Sequence, residues 1–347
     1  EVIYSMKKSS PLLIGKGKDE FIISSDVYAL PDYIDNYYML NDGDFAVISD
    51  KLQFYDMSGN AIKKSEYFKP DEYYNNGLCG YDHYMIKEIF DQPKVINKVV
   101  LEYNANKFLL KEIVKNNIYI IGCGSAYNAG LIGAFVLSCK CGINVKTVIA
   151  SEYQDGLSQI KESDLIIAIS QSGETADTIS AVKNAKNKFG CRVLSILNSE
   201  NSTLNHMSDY VLYTKAGKEV SVATTKCYFA QTLMLLLIAN DISDRNIFAE
   251  EDVNKLYTKI NDSVELDVSF CINRIINSNI VIFVGKGIDY YTCKEASLKL
   301  KEVSYINSEA YPSGELKHGS IALVDNRTVV IVLCTNKKYL EKNISIV

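Results

Sequence analysis

From Ile118 onward one unit keeps returning: a short apolar run, a turn rich in glycine or hydroxyls, then a longer run with helical periodicity. IYIIGCG ends on glycines and leads into AYNAGLIGAFVLSC. VKTVIAS and LIIAIS are further apolar runs, TADTISAVKNAKNKFG closes on Gly190, and RVLSILN precedes the strongly apolar YFAQTLMLLLIAND. Strands that alternate with helices are joined by crossovers, so they pair in parallel with helices over both faces. The expected fold class is α/β, a doubly wound parallel-sheet sandwich, with ligands at the carboxyl edge of the sheet.

The start of this lobe recurs. IYIIGCGSAYNAG, from Ile118, and IVIFVGKGIDYYTC, from Ile280, each give an apolar strand, Gly-x-Gly, and Tyr three residues on. Gly122, Gly124 and Tyr127 match Gly285, Gly287 and Tyr290 at one constant offset, and TVVIVLC echoes LIIAIS. We read two copies of one α/β lobe, the second cut short at Val347.

The first 65 or so residues differ. SPLLIGKG, FIISSD, FAVISD and LQFYDMSGNAIKK are short apolar runs broken by Gly, Asp and Asn, with Ser58-Gly59-Asn60 as a hairpin turn. A tyrosine-rich polar stretch runs from Glu66 to Asp82. HYMIKEIFDQP then reads as a helix stopped by Pro93 and as the candidate linker.

Composition excludes several classes of function. The 347 residues are 47% hydrophobic and 23% charged, which is globular, and the net charge is −5 with no basic run longer than a pair. That balance argues against nucleic acid as a partner. The apolar stretch Thr232–Ala239 is too short to cross a bilayer, and EVIYSMKKSS has no signal-peptide core. The nine cysteines include no C-x-x-C pair, so reduced thiols in a cytoplasmic protein are expected, with no metal and no cofactor. An initial glutamate instead of methionine suggests a piece of a longer polypeptide.

Four stretches carry the chemistry. In SQSGET, Ser170, Gln171, Ser172 and Thr175 crowd a strand-to-helix turn. Such a turn offers free backbone N–H groups and a helix dipole to an anion, hydroxyls add donors without bulk, and Gly173 lets the backbone close in. An ordinary N-cap accounts for one hydroxyl, but poorly for three with a glutamine. The turn lacks the P-loop pattern, and Gly122-Cys123-Gly124 lacks both the third glycine and the ribose-binding acid of a dinucleotide site. KEVSVATTK is either a capped helix start or a source of sugar-hydroxyl contacts. EASLKLKE places Glu295, Lys299 and Glu302 on one helical face, either as a solvated salt-bridged face or as catalytic groups, and His318 follows in GELKHG. Histidine moves protons near neutral pH, and a glutamate can take a proton α to a carbonyl.

Taken together, SQSGETADT, the C-G-S turn, EVSVATTK and LKLKE…EAY…GELKHG resemble the isomerase part of the glucosamine-6-phosphate synthases. These are glutamine:fructose-6-phosphate aminotransferases with two sugar-isomerase (SIS) domains behind an N-terminal-nucleophile (Ntn) glutaminase domain. The resemblance covers essentially the whole chain. It implies an SIS fold preceded by a β-rich remnant of an Ntn-type glutaminase domain. The implied boundaries are 1–70 for that remnant, 71–104 for the linker, 105–245 for the first SIS domain and 246–347 for a truncated second one.

The resemblance also assigns roles. Ser170, Gln171, Ser172 and Thr175 would hold the sugar phosphate. Ser125 and Thr224 would reach the sugar or its phosphate, Val222 would contribute through its backbone, and Glu219 would line the cavity. Glu302 would move a proton between C1 and C2 with Lys299 assisting. His318 would open the sugar ring from the neighbouring subunit of a homodimer. The implied ligands are fructose 6-phosphate and glucosamine 6-phosphate, without nucleic acid or membrane.

Departures from the pattern matter. The family's catalytic N-terminal cysteine, its glutamine-site segments and its C-terminal lysine tail fall outside this sequence, and Ala126 replaces a frequent serine. The fragment itself is therefore expected to be inactive as a synthase. The rival readings are a fructosamine-phosphate deglycase and a non-catalytic sugar-phosphate-binding SIS regulator.

Overall fold

A computed structural model describes residues 2–8, 11–25, 27–31, 33–68, 77–107, 113, 117–243 and 247–344. The tyrosine-rich stretch lies outside the described residues over 69–76. The chain divides into two compact units, Glu1–Gly77 and Leu78–Val347.

The first unit holds two antiparallel sheets. Its strands are β1 (Ile3–Met6), β2 (Leu13–Lys16), β3 (Phe21–Ser24), β4 (Asn36–Met39), β5 (Phe45–Ile48), β6 (Leu52–Tyr55), β7 (Ala61–Ile62) and β8 (Glu66–Phe68). They are ordered β1-β5-β6-β7 and β3-β2-β4-β8. Successive residues of β2 serve opposite faces, as strand geometry requires. Ile14 packs with Ala46, Ile48 and Phe54 of the other sheet, while Leu13 packs with Leu30 and Ile34. The expected hairpin at Ser58–Asn60 joins β6 to β7. Gly59 takes φ +79°, and Asp56 accepts from the main-chain N–H groups of Ser58 and Asn60, each at 2.9 Å.

The second unit opens with helix α1 (Tyr84–Asn106), which corrects one expectation: Pro93 does not stop it. Val95, Ile96, Val99 and Tyr103 beyond the proline fall on one face and are buried in the main core. Burying those side chains stabilises by roughly 1.5–3 kcal/mol each, enough to outweigh the ~3 kcal/mol cost of an interior proline. The span expected as linker therefore carries a core helix.

A five-stranded sheet follows, made of β9 (Ile118–Gly122), β10 (Val145–Ile149), β11 (Leu165–Ser170), β12 (Arg192–Leu197) and β13 (Tyr210–Tyr213). All pairings are parallel, in the order β10-β9-β11-β12-β13. Leu165, Ile167 and Ile169 of β11 face a core shared with α1, α2 (Gly124–Cys141) and the apolar residues of α4 (Lys226–Ile242). Ile166 and Ala168 face the opposite core, shared with α3 (Ala176–Phe189). A continuous apolar run is what a strand covered on both faces requires.

A second parallel sheet, β15-β14-β16, is built from β14 (Ile280–Gly285), β15 (Asn307–Pro312) and β16 (Thr328–Val332). Helix α5 (Glu250–Val264) packs on α1, with Val253, Leu256 and Ile260 against the main core. After the short α6 (Ser269–Ile275), helix α7 (Ile288–Ser304) packs on α2 as well as on its own sheet.

Candidate functional site

From β9 the chain moves to β10 on one side, then returns to lay β11, β12 and β13 on the other. The strand order therefore reverses between β9 and β11, and at such a switch point the two following turns part and leave a crevice at the carboxyl edge. After β9, Ser125 stands buried in the first turn of α2, and the turn after β11 is Ser170–Thr175. Because β9 and β11 are hydrogen-bonded neighbours, their ends lie about 5 Å apart.

The second turn is shaped by its own polar groups. Ser170 is buried, accepts from the Gly173 N–H at 3.0 Å and shares a 3.1 Å hydrogen bond with the Thr175 hydroxyl. Ser172 accepts from the Glu174 N–H at 3.1 Å. Gly173 takes φ +71°, and a Cβ there would lie 2.0 Å from Ser202 Oγ, so no other residue fits. Gln171 and Glu174 tie the turn to the next loop. The Gln171 carbonyl accepts from Asn198 and Ser199, and the Glu174 carboxylate accepts from the Thr203 N–H at 2.7 Å.

Thr175 stands at the N-cap of α3, yet its side chain makes no cap hydrogen bond. The first-turn N–H groups of α3 thus lack a side-chain cap among the described residues and point to the crevice end of the helix. Across the crevice the thiol of Cys123 is pushed up, above all by burial, which leaves it neutral. The donors accessible at this turn are Gln171, Ser172 and Thr175, whereas Ser170 is a shaping group in this conformation.

The Lys218–Lys226 stretch follows β13 on the same sheet. Glu219 caps α4 from outside the helix: its carboxylate accepts from the Thr225 N–H at 2.8 Å, the Cys227 N–H at 3.3 Å and the Thr224 hydroxyl. The helix start is therefore capped by a glutamate and not by the Ser and Thr residues the sequence offers. Val222 is fully exposed at the tip, with its neighbour Ser221 bonded to the Ala223 carbonyl at 3.0 Å.

On α7, Lys299 bridges two carboxylates, with Nζ 2.5 Å from Glu302 Oε2 and 3.5 Å from Glu295 Oε1. The longer distance is an ion pair and not a hydrogen bond. Glu295 is buried, and its Oε2 accepts from Asn128 Nδ2 of α2 at 2.8 Å. The Glu295 end of this clasp joins the two lobes, whereas Glu302 at its other end is exposed. His318 is exposed at the end of the 3-10 turn Glu315–Lys317, and its ring makes no hydrogen bond among the described residues.

Reading the sequence alone missed Glu88 and Asn128. Asn128 left a signal, as a lone amide inside the apolar run AYNAGLIGAF. Glu88 left none, since a glutamate in a helical stretch reads as surface.

Comparison with known proteins fits this geometry. The SIS domain family matches residues 113–240 and 274–343. The chain is 40% identical over 369 residues to a glutamine–fructose-6-phosphate aminotransferase [isomerizing] of Caldanaerobacter subterraneus subsp. tengcongensis, covering 99% of this chain and 60% of the relative. It therefore spans less than two thirds of the length of the curated relatives it matches. Among solved structures, the C-terminal domain of glucosamine-fructose-6-phosphate aminotransferase from Francisella tularensis aligns with TM-score 0.67 and 32% identity, over 78% of this chain and 81% of that one. A putative phosphosugar isomerase from Clostridium difficile aligns with TM-score 0.61 and 25% identity, over 75% of this chain and 78% of that one. One strand order laid down twice, with the sequence match falling on both copies, makes this chain a member of the SIS domain family.

Proposed function

We propose that this chain is the isomerase part of an aminotransferase that converts fructose 6-phosphate and glutamine-derived ammonia to glucosamine 6-phosphate. The observation that carries the reading is the β9/β11 crevice. It pairs an uncapped helix N-terminus with hydroxyl and amide donors and no lysine, a neutral cradle suited to a phosphate dianion. Gln171, Ser172 and Thr175 hold the phosphate, with Ser170 shaping the turn. Ser125 approaches from the neighbouring turn, and Glu219, Val222 and Thr224 face the sugar from the Lys218–Lys226 loop.

In the proposed reaction the ring opens, ammonia condenses at C2 with loss of water, and Glu302 takes the C1 proton of the resulting imine. Return of a proton to C2 gives the 2-amino aldose phosphate. Lys299 holds the Glu302 carboxylate and balances its charge. His318, exposed and unengaged by described residues, serves ring opening in a homodimer partner's site. The first unit is read as the end of an Ntn-type glutaminase domain, the source of ammonia. The relatives' names and the Lys299–Glu302 ion pair support an enzyme over a regulator.

Thermal unfolding with added ligand tests the reading. Fructose 6-phosphate and glucosamine 6-phosphate should each raise the melting temperature of the second unit, and unphosphorylated fructose should not. Equal shifts from fructose and its phosphate would overturn the assignment of the crevice.

A further inference from the structure

Helix α1 sends one charged group inward. Glu88 is 1% exposed, and its Oε1 accepts from two consecutive main-chain N–H groups, Val220 at 2.5 Å and Ser221 at 3.3 Å. Its Oε2 is buried without a partner among the described residues. The two N–H groups belong to the loop that carries Glu219, Val222 and Thr224, more than a hundred residues away in the chain. Burying a carboxylate costs several kcal/mol unless the site returns it, so a helix built only for packing would carry an apolar residue here.

The rest of the loop explains what the carboxylate does. Between β13 and α4 the stretch has no regular secondary structure to fix it. Its C-terminal half is held by Glu219, which gathers Thr224, Thr225 and Cys227 at the helix start. Its N-terminal half, Val220–Ser221, is held by Glu88. Two carboxylates thus pin the loop on either side of Val222, which is itself fully exposed.

We infer that Glu88 is a positioning residue for the ligand site, its carboxylate fixing the main chain of Val220 and Ser221 so that Val222 and Thr224 are presented to the sugar. The inference rests on the reading of that loop given under Proposed function. Glu88 itself touches no ligand. Removing its acceptor frees one half of the loop and leaves the β9/β11 phosphate turn as it is.

Amide hydrogen exchange on the full chain tests the loop without any ligand. In the unsubstituted protein, Val220 and Ser221 should exchange more slowly than Val222. Glu88→Met, similar in length but without an acceptor, should speed both by roughly tenfold or more, the scale of a lost hydrogen bond to a charged group. Glu88→Gln keeps a carbonyl acceptor and should restore most of the protection. Equal rates at Val220, Ser221 and Val222 in the unsubstituted protein would overturn the inference even if neither variant folds. So would unchanged rates in Glu88→Met.

A second arm reads binding. Glu88→Met should lose the part of the thermal shift by which fructose 6-phosphate exceeds inorganic phosphate, and Glu88→Gln should keep it. If the unsubstituted protein itself gives no such excess, the functional reading fails while the exchange rates still judge Glu88. If Glu88→Met keeps the excess, the positioning role fails and the functional reading stands.

Discussion

The two lobes of the second unit use the same frame and fill it differently. Each has a glycine-ended strand, β9 or β14, with the next strand in sequence on one side and a later strand, β11 or β16, on the other. Gly124 and Gly287 both take positive φ, +53° and +63°, at the start of the following helix. In the first lobe the crevice between β9 and β11 is walled by hydroxyls and a neutral thiol. In the second, Asp289 stands where the repeat places Ala126, is buried, and accepts from the Thr335 N–H at 3.0 Å and the Thr335 hydroxyl at 2.5 Å. Both Thr335 donors are thus already satisfied by a carboxylate belonging to the chain. The same switch point thus ends differently in the two lobes: Thr335 after β16 is satisfied by Asp289, while the matching position in the first lobe, Ala126, offers no such acceptor.

The largest expected effect breaks the frame itself. A Cβ on Gly285 would lie 2.5 Å from the Asp289 carbonyl carbon, and one on Gly122 would lie 3.0 Å from the Tyr127 nitrogen. Gly285→Ala should cost about 3 kcal/mol or more and Gly122→Ala about 1–2, measured by urea unfolding followed through helical circular dichroism. Equal costs would mean that the two strand-to-helix approaches are not distinguished by their spacing.

The next pair separates stability from binding. Asp289→Ala strips both Thr335 donors of their acceptor and should cost roughly 1.5–3 kcal/mol of stability while fructose 6-phosphate affinity is unchanged. Thr175→Ala should do the reverse, weakening that affinity by roughly 1.5–3 kcal/mol and lowering stability by about 1 kcal/mol or less. Calorimetric titration and urea unfolding on each variant report both quantities. An Asp289→Ala protein that no longer binds would erase the distinction between an open crevice and a filled one.

Most of the frame was legible in the sequence because it is written in local signals. The continuous apolar run of LIIAIS, the closing Gly190 and the repeated Gly-x-Gly each follow from neighbours in the chain. Pro93 misled because its local penalty is outweighed by burial of Val95, Ile96 and Val99 against elements distant in the chain, chiefly α4 and α5, which no local pattern reports. The same holds for the site. SQSGET announces itself as a cluster. Asp289 was visible only as one acid in GKGIDYYTC, and its role needs Thr335, which the chain supplies 46 residues later. Glu219 was read as a cavity residue, and the structure shows its carboxylate doing what an N-cap does for α4.

The smallest effect concerns proton uptake at Glu88, and it asks whether the first lobe holds its loop by a charge or by an acid. Burial pushes the Glu88 carboxyl above the ordinary glutamate value of 4.5, the Val220 N–H pulls it down, and the Glu219 charge raises it further. The charged or titratable groups facing it are Glu219, Lys226 and Cys227, all on the loop and the first turn of α4. Since the folded state holds this proton more tightly than the unfolded chain does, the associated stability is complete below pH 4.5 and is lost as pH rises through the folded value. Glu88→Gln has no proton to lose, so the stability of the unsubstituted protein minus that of the variant should fall with rising pH over this window. The slope for one proton is at most about 1.4 kcal/mol per pH unit, and urea unfolding of both proteins from acid to neutral pH measures it. A difference that rises with pH instead would mean that the N–H groups of Val220 and Ser221 stabilise the charge by more than burial penalises it.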